Sequence, residues 1–177
     1  MVCNEVVELA PLRNNMLLAS QLEAGSHHVA KEEIDLTELT ISCVNDFKIR
    51  YPLRQFKEEI DAEVYVMGDN MLLQMAINNL IDNALKYGGN KINIELISTK
   101  NKVEIFIKDN GNGIHKDQKE KIFEQFYRIP TGNTHNVKGF GIGLYYTKNI
   151  IEKHGGNIHI IYDKKNHTIF KIELLNE

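Results

Sequence analysis

The 177-residue sequence has no apolar run near the ~18 residues that a membrane-crossing helix requires. It also lacks the pattern of a secretory signal. Cysteine is scarce: Cys3 and Cys43 are the only two, and their spacing matches no metal site. Two isolated thiols read as reduced side chains of a cytosolic protein. Positive charge is not in excess either. The 21 Lys and Arg residues face 24 Asp and Glu, a net charge of -3, which leaves no basic field for nucleic acid. Internal repeats and low-complexity tracts are absent. What is present is an ordinary composition: 42% hydrophobic and 25% charged residues predict a folded core and exclude global disorder. The length suffices for one domain with a small appendage.

Hydrophobic spacing divides the chain. Residues 1–23 read as a helix through Val2, Val6, Leu9, Leu12, Leu17, Leu18 and Leu22, with Pro11 kinking it or shifting its start. "EAGSHHVAKEE" breaks that pattern at Gly25 and Ser26 and marks a domain boundary. Beyond it, "EEIDL" reads as a short strand and "TELTISCVNDFKIR" as a helix capped by Asp35 or Thr37. "EIDAEVYVMGD" alternates and reads as one strand. "NMLLQMAINNLIDNALKYG" is the strongest helix: Leu73, Ile77, Leu80 and Ala84 recur at helical spacing, and Gly88 follows as the stop. "KINIELIST" and "NKVEIFIKDNG" form an antiparallel pair. "GIGLYYTKNIIEKHGG" is a second helix stopped by Gly155, and "NIHIIYD" with "HTIFKIELL" makes a hairpin around "KKN". The sum predicts an α/β two-layer sandwich, a mixed, antiparallel-rich sheet with helices on one face.

Three stretches carry candidate chemistry, and each has a bland reading beside the functional one. On the strongest helix, Asn79, Asn83 and Lys86 fall within roughly 60° of one another, away from the apolar stripe. They read either as a solvated face or as amide oxygen ligands for Mg²⁺ beside a phosphate-binding ammonium. "KDNGNGI" ends a strand. It reads as an Asn-Gly turn, or as a site where glycines admit a ligand to the backbone and Asp109 accepts a hydrogen bond from an exocyclic amine. In "KGFGIGLYYTKNII" three glycines lead into a helix whose first N–H groups suit a phosphate, with Lys138 just before them. The pattern is neither a P-loop nor, in this context, a dinucleotide fingerprint. Between the second and third stretches lie some 25 mostly polar residues around one aromatic knot.

Taken in order, these segments resemble the catalytic, ATP-binding domain of bacterial sensor histidine kinases, within the GHKL superfamily. "NNLIDNALKYG" resembles the N box, "DNGNGI" the first glycine box, "FEQFYR" the F box and "GFGIGL" the second glycine box, followed by "EKHGGNI". The resemblance covers residues 34–177 and implies a Bergerat-type ATP-binding fold with an ATP lid at about 115–140. Residues 1–25 resemble the end of the second helix of a dimerisation and phosphoacceptor domain, and 26–33 a linker. The resemblance implies that Asn83 ligates Mg²⁺, with Asn79 supporting metal or phosphates. Lys86 touches the phosphates, Tyr87 lies along adenine or ribose, and Asp109 accepts the adenine amino group. Gly111, Gly113 and Ile114 border the nucleotide, and Arg128 reaches the γ-phosphate. Lys138, Gly139, Gly141, Gly143 and Leu144 wrap the triphosphate. Phe123, Phe126 and Tyr127 anchor the lid or meet the phosphoacceptor helices. It further implies two-component signal transduction: a homodimeric, inner-membrane-anchored parent, a cytoplasmic kinase core and a response regulator partner.

The sequence departs from that pattern in two ways. No phosphoacceptor motif surrounds His27, His28, His115, His135, His154, His159 or His167. His154, in the helix-ending "KHGG", reads as structural. The chain is therefore expected to bind ATP without phosphorylating itself, as a fragment of a longer kinase. Pro11 also sits inside the helical remnant. The rival reading is a GHKL ATPase of the gyrase or chaperone kind, in which a glutamate four residues before the metal-binding asparagine activates water. Here that position is Asn79, and a carboxamide cannot serve as the base. Asp82 is a carboxylate next to Asn83, but it points about 100° away. A third reading is a degenerate ATP-binding module used for protein contacts.

Overall fold

The main sheet has five strands, in the spatial order Gln55–Ile60, Lys91–Ser98, Lys102–Asp109, Thr168–Leu175 and Asn157–Tyr162. The computed structural model describes residues 30–130, 140–165 and 167–176; the expected helix over 1–23, Lys138 and Gly139 lie outside them. In chain order the elements are β1 (Glu32–Asp35), α1 (Leu36–Arg50), β2 (Gln55–Ile60), β3 (Tyr65–Gly68), α2 (Asn70–Tyr87), β4 (Lys91–Ser98), β5 (Lys102–Asp109), α3 (Gly143–Lys153), β6 (Asn157–Tyr162) and β7 (Thr168–Leu175). Between β5 and α3 come two single 3₁₀ turns, Lys116–Gln118 and Lys121–Phe123. β1 pairs with β3 in a separate two-stranded sheet.

Alternation explains the layers. Ile92, Ile94 and Leu96 of β4, Val103, Ile105 and Ile107 of β5, and Phe170, Ile172 and Leu174 of β7 are buried. The register places Ile94 beside Ile107 and Ile107 beside Phe170, so one face of the sheet is continuous hydrocarbon. The helices pack on that face, as expected for a two-layer sandwich. Each fully buried aliphatic side chain there contributes about 1.5–3 kcal/mol of transfer free energy. The opposite face stays wet and charged: the Lys171 ammonium lies 2.7 Å from Glu104 and 2.8 Å from Glu173, and Lys102 lies 3.2 Å from Glu173.

α2 is the central helix. The Asp69 carboxylate caps it by accepting from the Leu72 N–H at 3.1 Å. Leu72, Leu73, Ala76, Ile77, Leu80, Ile81, Ala84 and Leu85 are buried, a stripe wide enough to meet the sheet and both neighbouring helices. α1 is capped by Asp35, which accepts from the Glu38 N–H at 2.9 Å, rather than by Thr37. Cys43 is fully buried on α1, and that burial, with the nearby Asp46, pushes its thiol up to about 12. In a Cys3→Ser chain a thiol reagent at pH 8 is therefore expected to label nothing in the native state and one thiol per chain in denaturant. Rapid native labelling would contradict the burial.

One expected element is corrected. "EIDAEVYVMGD" is not one strand: β2 ends at Ile60 and β3 begins at Tyr65, in a different sheet. Asp61–Val64 turns the chain, with Glu63 in the left-handed region at φ 57°. Thr37 holds the turn, donating its hydroxyl to the Asp61 carbonyl at 2.7 Å and accepting from the Val64 N–H at 3.1 Å. β2 then pairs with β4 in parallel, which makes the sheet mixed. Among the described residues no helix is long and apolar enough to cross a membrane.

Candidate functional site

The polar face of α2 meets the start of α3. Asn79 is half-buried and points its amide at the Gly143 carbonyl, 3.5 Å away, while the Thr147 hydroxyl donates to the same carbonyl at 3.0 Å. A Cβ at position 143 would stand 3.6 Å from the Asn79 amide oxygen, so that side chain faces the helix start across a single van der Waals gap. Asn83 lies one turn further along α2, also half-buried. Lys86 is exposed and forms an i,i+4 ion pair with Asp82 at 2.5 Å. The carboxylate that could have stood in for the base missing at position 79 is thus paired with a cation.

At the end of α2 the chain passes over the end of β5. Tyr87 is exposed, and Gly88 caps the helix through its N–H to the Ala84 carbonyl. A Cβ on Gly88 would lie 2.5 Å from the Asp109 Cβ, and one on Gly111 would lie 2.6 Å from the Gly88 Cα. At both positions the nearest occupant of the missing side chain's space is the protein itself. The glycines let α2 press directly on Asp109. The Asp109 side chain is 7% exposed, on the helix side of the sheet, and accepts from the Gly111 N–H at 2.8 Å. Burial pushes its carboxyl above the ordinary range; the Gly111 bond and the His167 side chain oppose that shift.

Two residues complete this corner without having signalled themselves in the sequence. Thr168 is buried, and its hydroxyl accepts from the Ile114 N–H at 2.9 Å, fixing the half-buried Ile114 after Gly113 (φ 74°). The register continues from Lys108 beside Ile169 to put Thr168 next to Asp109. Arg54 reaches the end of α2, donating to the Gly89 carbonyl at 2.9 Å, the Asn90 side chain at 3.2 Å and the Leu85 carbonyl at 3.4 Å. A guanidinium there satisfies carbonyls that the helix end leaves open. Thr168 looked like one more strand residue, and Arg54 like an exposed loop cation.

One hydrogen bond ties the interior of the expected lid to the residue just past its end. The Phe126 N–H donates to the Gly141 carbonyl at 2.9 Å. Gly141 adopts φ 70°, and a Cβ on it would strike the Tyr127 carbonyl at 2.7 Å, so both conformation and space demand glycine. The aromatic knot is split. Ile122 and Phe123 are buried, with Lys148 of α3 at 6.0 Å from the Phe123 ring, whereas Phe126 is 67% exposed on a left-handed backbone (φ 65°) and Phe140 is 58% exposed. Tyr127 is half-buried and Arg128 exposed. Ile142 caps α3 without a side-chain hydrogen bond, leaving the first-turn N–H groups beside the half-buried Leu144 open to a ligand. The later part of the expected lid, residues 131–139, lies outside the described residues.

A separate cavity of about 410 Å³ opens on the other side of the sheet, lined among others by Lys91, Asn93, Lys108, Asp163 and His167. Asp163 ties it together, accepting from Lys108 at 2.7 Å and from the His167 ring at 3.0 Å. The Lys108 ammonium chiefly holds its carboxyl far below the usual range. No residue of α2 or α3 lines this cavity; it meets the corner described above at Asp109 and at His167, whose ring acts on that carboxyl.

Residues 68–177 match the family described as "Histidine kinase-, DNA gyrase B-, and HSP90-like ATPase". The chain belongs to that family. Its likeness lies on the sensor-kinase side. It is 37% identical over 150 residues to Sensor protein RprX of Bacteroides fragilis, covering 81% of this chain and 29% of that protein. Among solved structures, the mycobacterial sensor histidine kinase MprB superposes with a TM-score of 0.73 at 26% identity, covering 83% of this chain and 98% of that one. The catalytic domain of histidine kinase ThkA, in a nucleotide-free form, gives 0.70 at 28% identity, covering 85% and 97%. This histidine kinase-like chain is an ATP-binding catalytic domain of the two-component class, and it spans under a third of RprX.

Proposed function

We propose that this chain takes the γ-phosphoryl of ATP and transfers it to a histidine on a dimerisation domain of the same parent protein. One observation carries the reading. The side chain that faces the start of α3 one turn before Asn83 is the carboxamide of Asn79, and the neighbouring carboxylate, Asp82, is engaged by Lys86. A carboxamide takes no proton from water at neutral pH. An imidazole acceptor needs no such help, because its free nitrogen is already a nucleophile. That nitrogen attacks the γ-phosphorus, the bond to the β–γ bridging oxygen breaks, and ADP leaves. Catalysis is then mostly positioning and charge stabilisation.

In this proposal Asp109 accepts the adenine amino group while Tyr87 lies along the base or ribose. Gly111, Gly113 and Ile114 border the base. Lys86, Arg128 and Lys138 meet phosphate oxygens, and Gly139, Gly141, Gly143 and Leu144 wrap the triphosphate at the open start of α3. Asn83, supported by Asn79, holds Mg²⁺: the donors are neutral amide oxygens, which suit a hard cation that keeps waters and phosphates as its other ligands. When bound, the ion offsets the charge of the phosphates. Buried Phe123 anchors the lid, while exposed Phe126 and half-buried Tyr127 are available to a phosphoacceptor helix of the parent. Residues 1–25 are the end of the second of those helices, 26–33 the linker, and 34–177 the catalytic domain, with the lid at about 115–140. The parent is a membrane-anchored homodimer that passes the phosphoryl group to a response regulator.

The deciding experiment mixes this chain, γ-labelled ATP and Mg²⁺ with a separately produced phosphoacceptor domain of the parent. Acid-labile label on the acceptor histidine is expected. Rapid ATP hydrolysis without acceptor would favour the ATPase reading, and tight ATP binding with neither reaction would favour a degenerate module.

A further inference from the structure

His154 stands at the far end of α3 from the nucleotide corner. It is the C-cap residue, and the two glycines after it close the helix. The Gly155 N–H bonds to the Glu152 carbonyl at 3.0 Å and the Gly156 N–H to the Ile151 carbonyl at 2.9 Å, with Gly155 left-handed at φ 72°. This double closure orients the ring of the capping residue.

The ring then makes two hydrogen bonds in different directions. Nδ1 lies 2.7 Å from the Ile150 carbonyl of its own helix, and Nε2 lies 2.9 Å from the backbone N–H of Asp69. A backbone N–H can only donate, so Nε2 is the bare nitrogen and Nδ1 carries the proton toward Ile150. Asp69 is the residue whose carboxylate caps α2. The imidazole therefore joins the end of α3 to the first turn of α2. Gly68 packs against it so closely that a Cβ there would fall 2.6 Å from the ring Cδ2 and 2.9 Å from Nε2.

α2 and α3 carry the two halves of the proposed nucleotide site. At the site end, their hydrogen-bonded link is the amide of Asn79 to the Gly143 carbonyl, at 3.5 Å the longest in the corner. In the function proposed above, that same amide turns to the metal or the phosphates. The bond at the opposite end then remains to hold α3 in register on α2, beside their apolar packing. We propose that His154 is a positioning residue for nucleotide binding, a neutral imidazole strut that holds α3 against α2 while Asn79 is engaged by the ligand. The inference rests on the ATP-site reading. It adds a residue that touches neither nucleotide nor metal.

Two substitutions separate the strut from mere helix capping. In His154→Gln the longer amide places an acceptor near the Nε2 position and can keep the Asp69 bond. In His154→Asn the amide reaches only the Nδ1 position, so the cap bond to Ile150 is kept and the Asp69 bond is lost. By calorimetry with MgATP, the Asn variant is expected to bind about tenfold more weakly and the Gln variant to stay within about twofold of wild type. Gly68→Ala, which pushes the ring off Asp69 from the other side, is expected to behave like the Asn variant. Equal affinities across all of them, or equal losses in Gln and Asn, would overturn the proposal. The wild-type chain gives a readout independent of variant folding. ¹⁵N shifts should show the Nδ1–H tautomer at His154, and the Asp69 amide should be protected from exchange. The other tautomer, or fast exchange at Asp69, also overturns it. If wild type fails to bind MgATP, the ATP-site reading falls, while these two measurements still decide whether the strut exists.

Discussion

Asp109→Asn is expected to lower ATP affinity by about 10- to 100-fold while leaving the fold as stable as before, or more so. One carboxylate oxygen already accepts from the Gly111 N–H at 2.8 Å. An asparagine keeps its carbonyl oxygen for that bond and must turn its NH₂ toward the ligand. A donor then faces the adenine amino donor in a buried place, at a cost of about 1–3 kcal/mol. Stability moves the other way. Burial holds the wild-type carboxyl above its ordinary range, so at neutral pH its charge works against folding. A carboxyl raised above its unfolded value binds its proton more tightly in the folded chain. Wild type should therefore gain stability relative to the variant as the pH falls from neutral through that raised value. ATP binding should weaken over the same window, because the proton occupies the acceptor. Calorimetry with ATP and melting curves at pH 7.5 and 5 test both signs. Unchanged affinity in the variant would remove Asp109 from the site.

Asn83→Ala should abolish the Mg²⁺-dependent part of ATP binding. Wild type is expected to lose about tenfold or more in affinity when EDTA replaces Mg²⁺, whereas the variant should bind weakly and equally in both. The fold cannot be the cause. Asn83 is half-buried on the polar face of α2, and alanine is the better helix former by roughly half a kcal/mol. A variant that still responds to EDTA would mean that Asn83 is not the metal ligand.

Much of this architecture is visible in local pattern. α2 and α3 announce themselves by apolar spacing and terminal glycines, and β4–β5 and β6–β7 by alternation around polar turns. The candidate site is legible for the same reason: Asn79, Asn83, Asp109 and the glycines sit in short contiguous stretches whose residue types are unusual for their secondary structure. What escaped depends on partners distant in sequence. The break at Asp61–Val64 is held by Thr37, from the preceding helix, so alternation ran on through it. The parallel pairing of β2 with β4 carries no turn signal. Arg54, Thr168 and His154 look ordinary until the carbonyl or backbone N–H beside each is known. Sequence also gives no way to tell apart the aromatics of "FEQFYR": Phe123 is buried, whereas Phe126, on a left-handed backbone, is exposed.

The place of β7 in the sheet has a consequence for how the molecule comes into being. β5 and β6 do not pair with each other; β7 lies between them and bonds to both. Until residues 168–175 have left the ribosome, β5 has only one neighbour and β6 has none. The helices then have an incomplete floor to settle on. Folding of the nucleotide corner must therefore wait for β7, and Thr168, which sets Ile114 beside Asp109, arrives on that same strand. A nascent chain arrested before β7 should be open to protease across β4 and β5, and become resistant only when β7 is released.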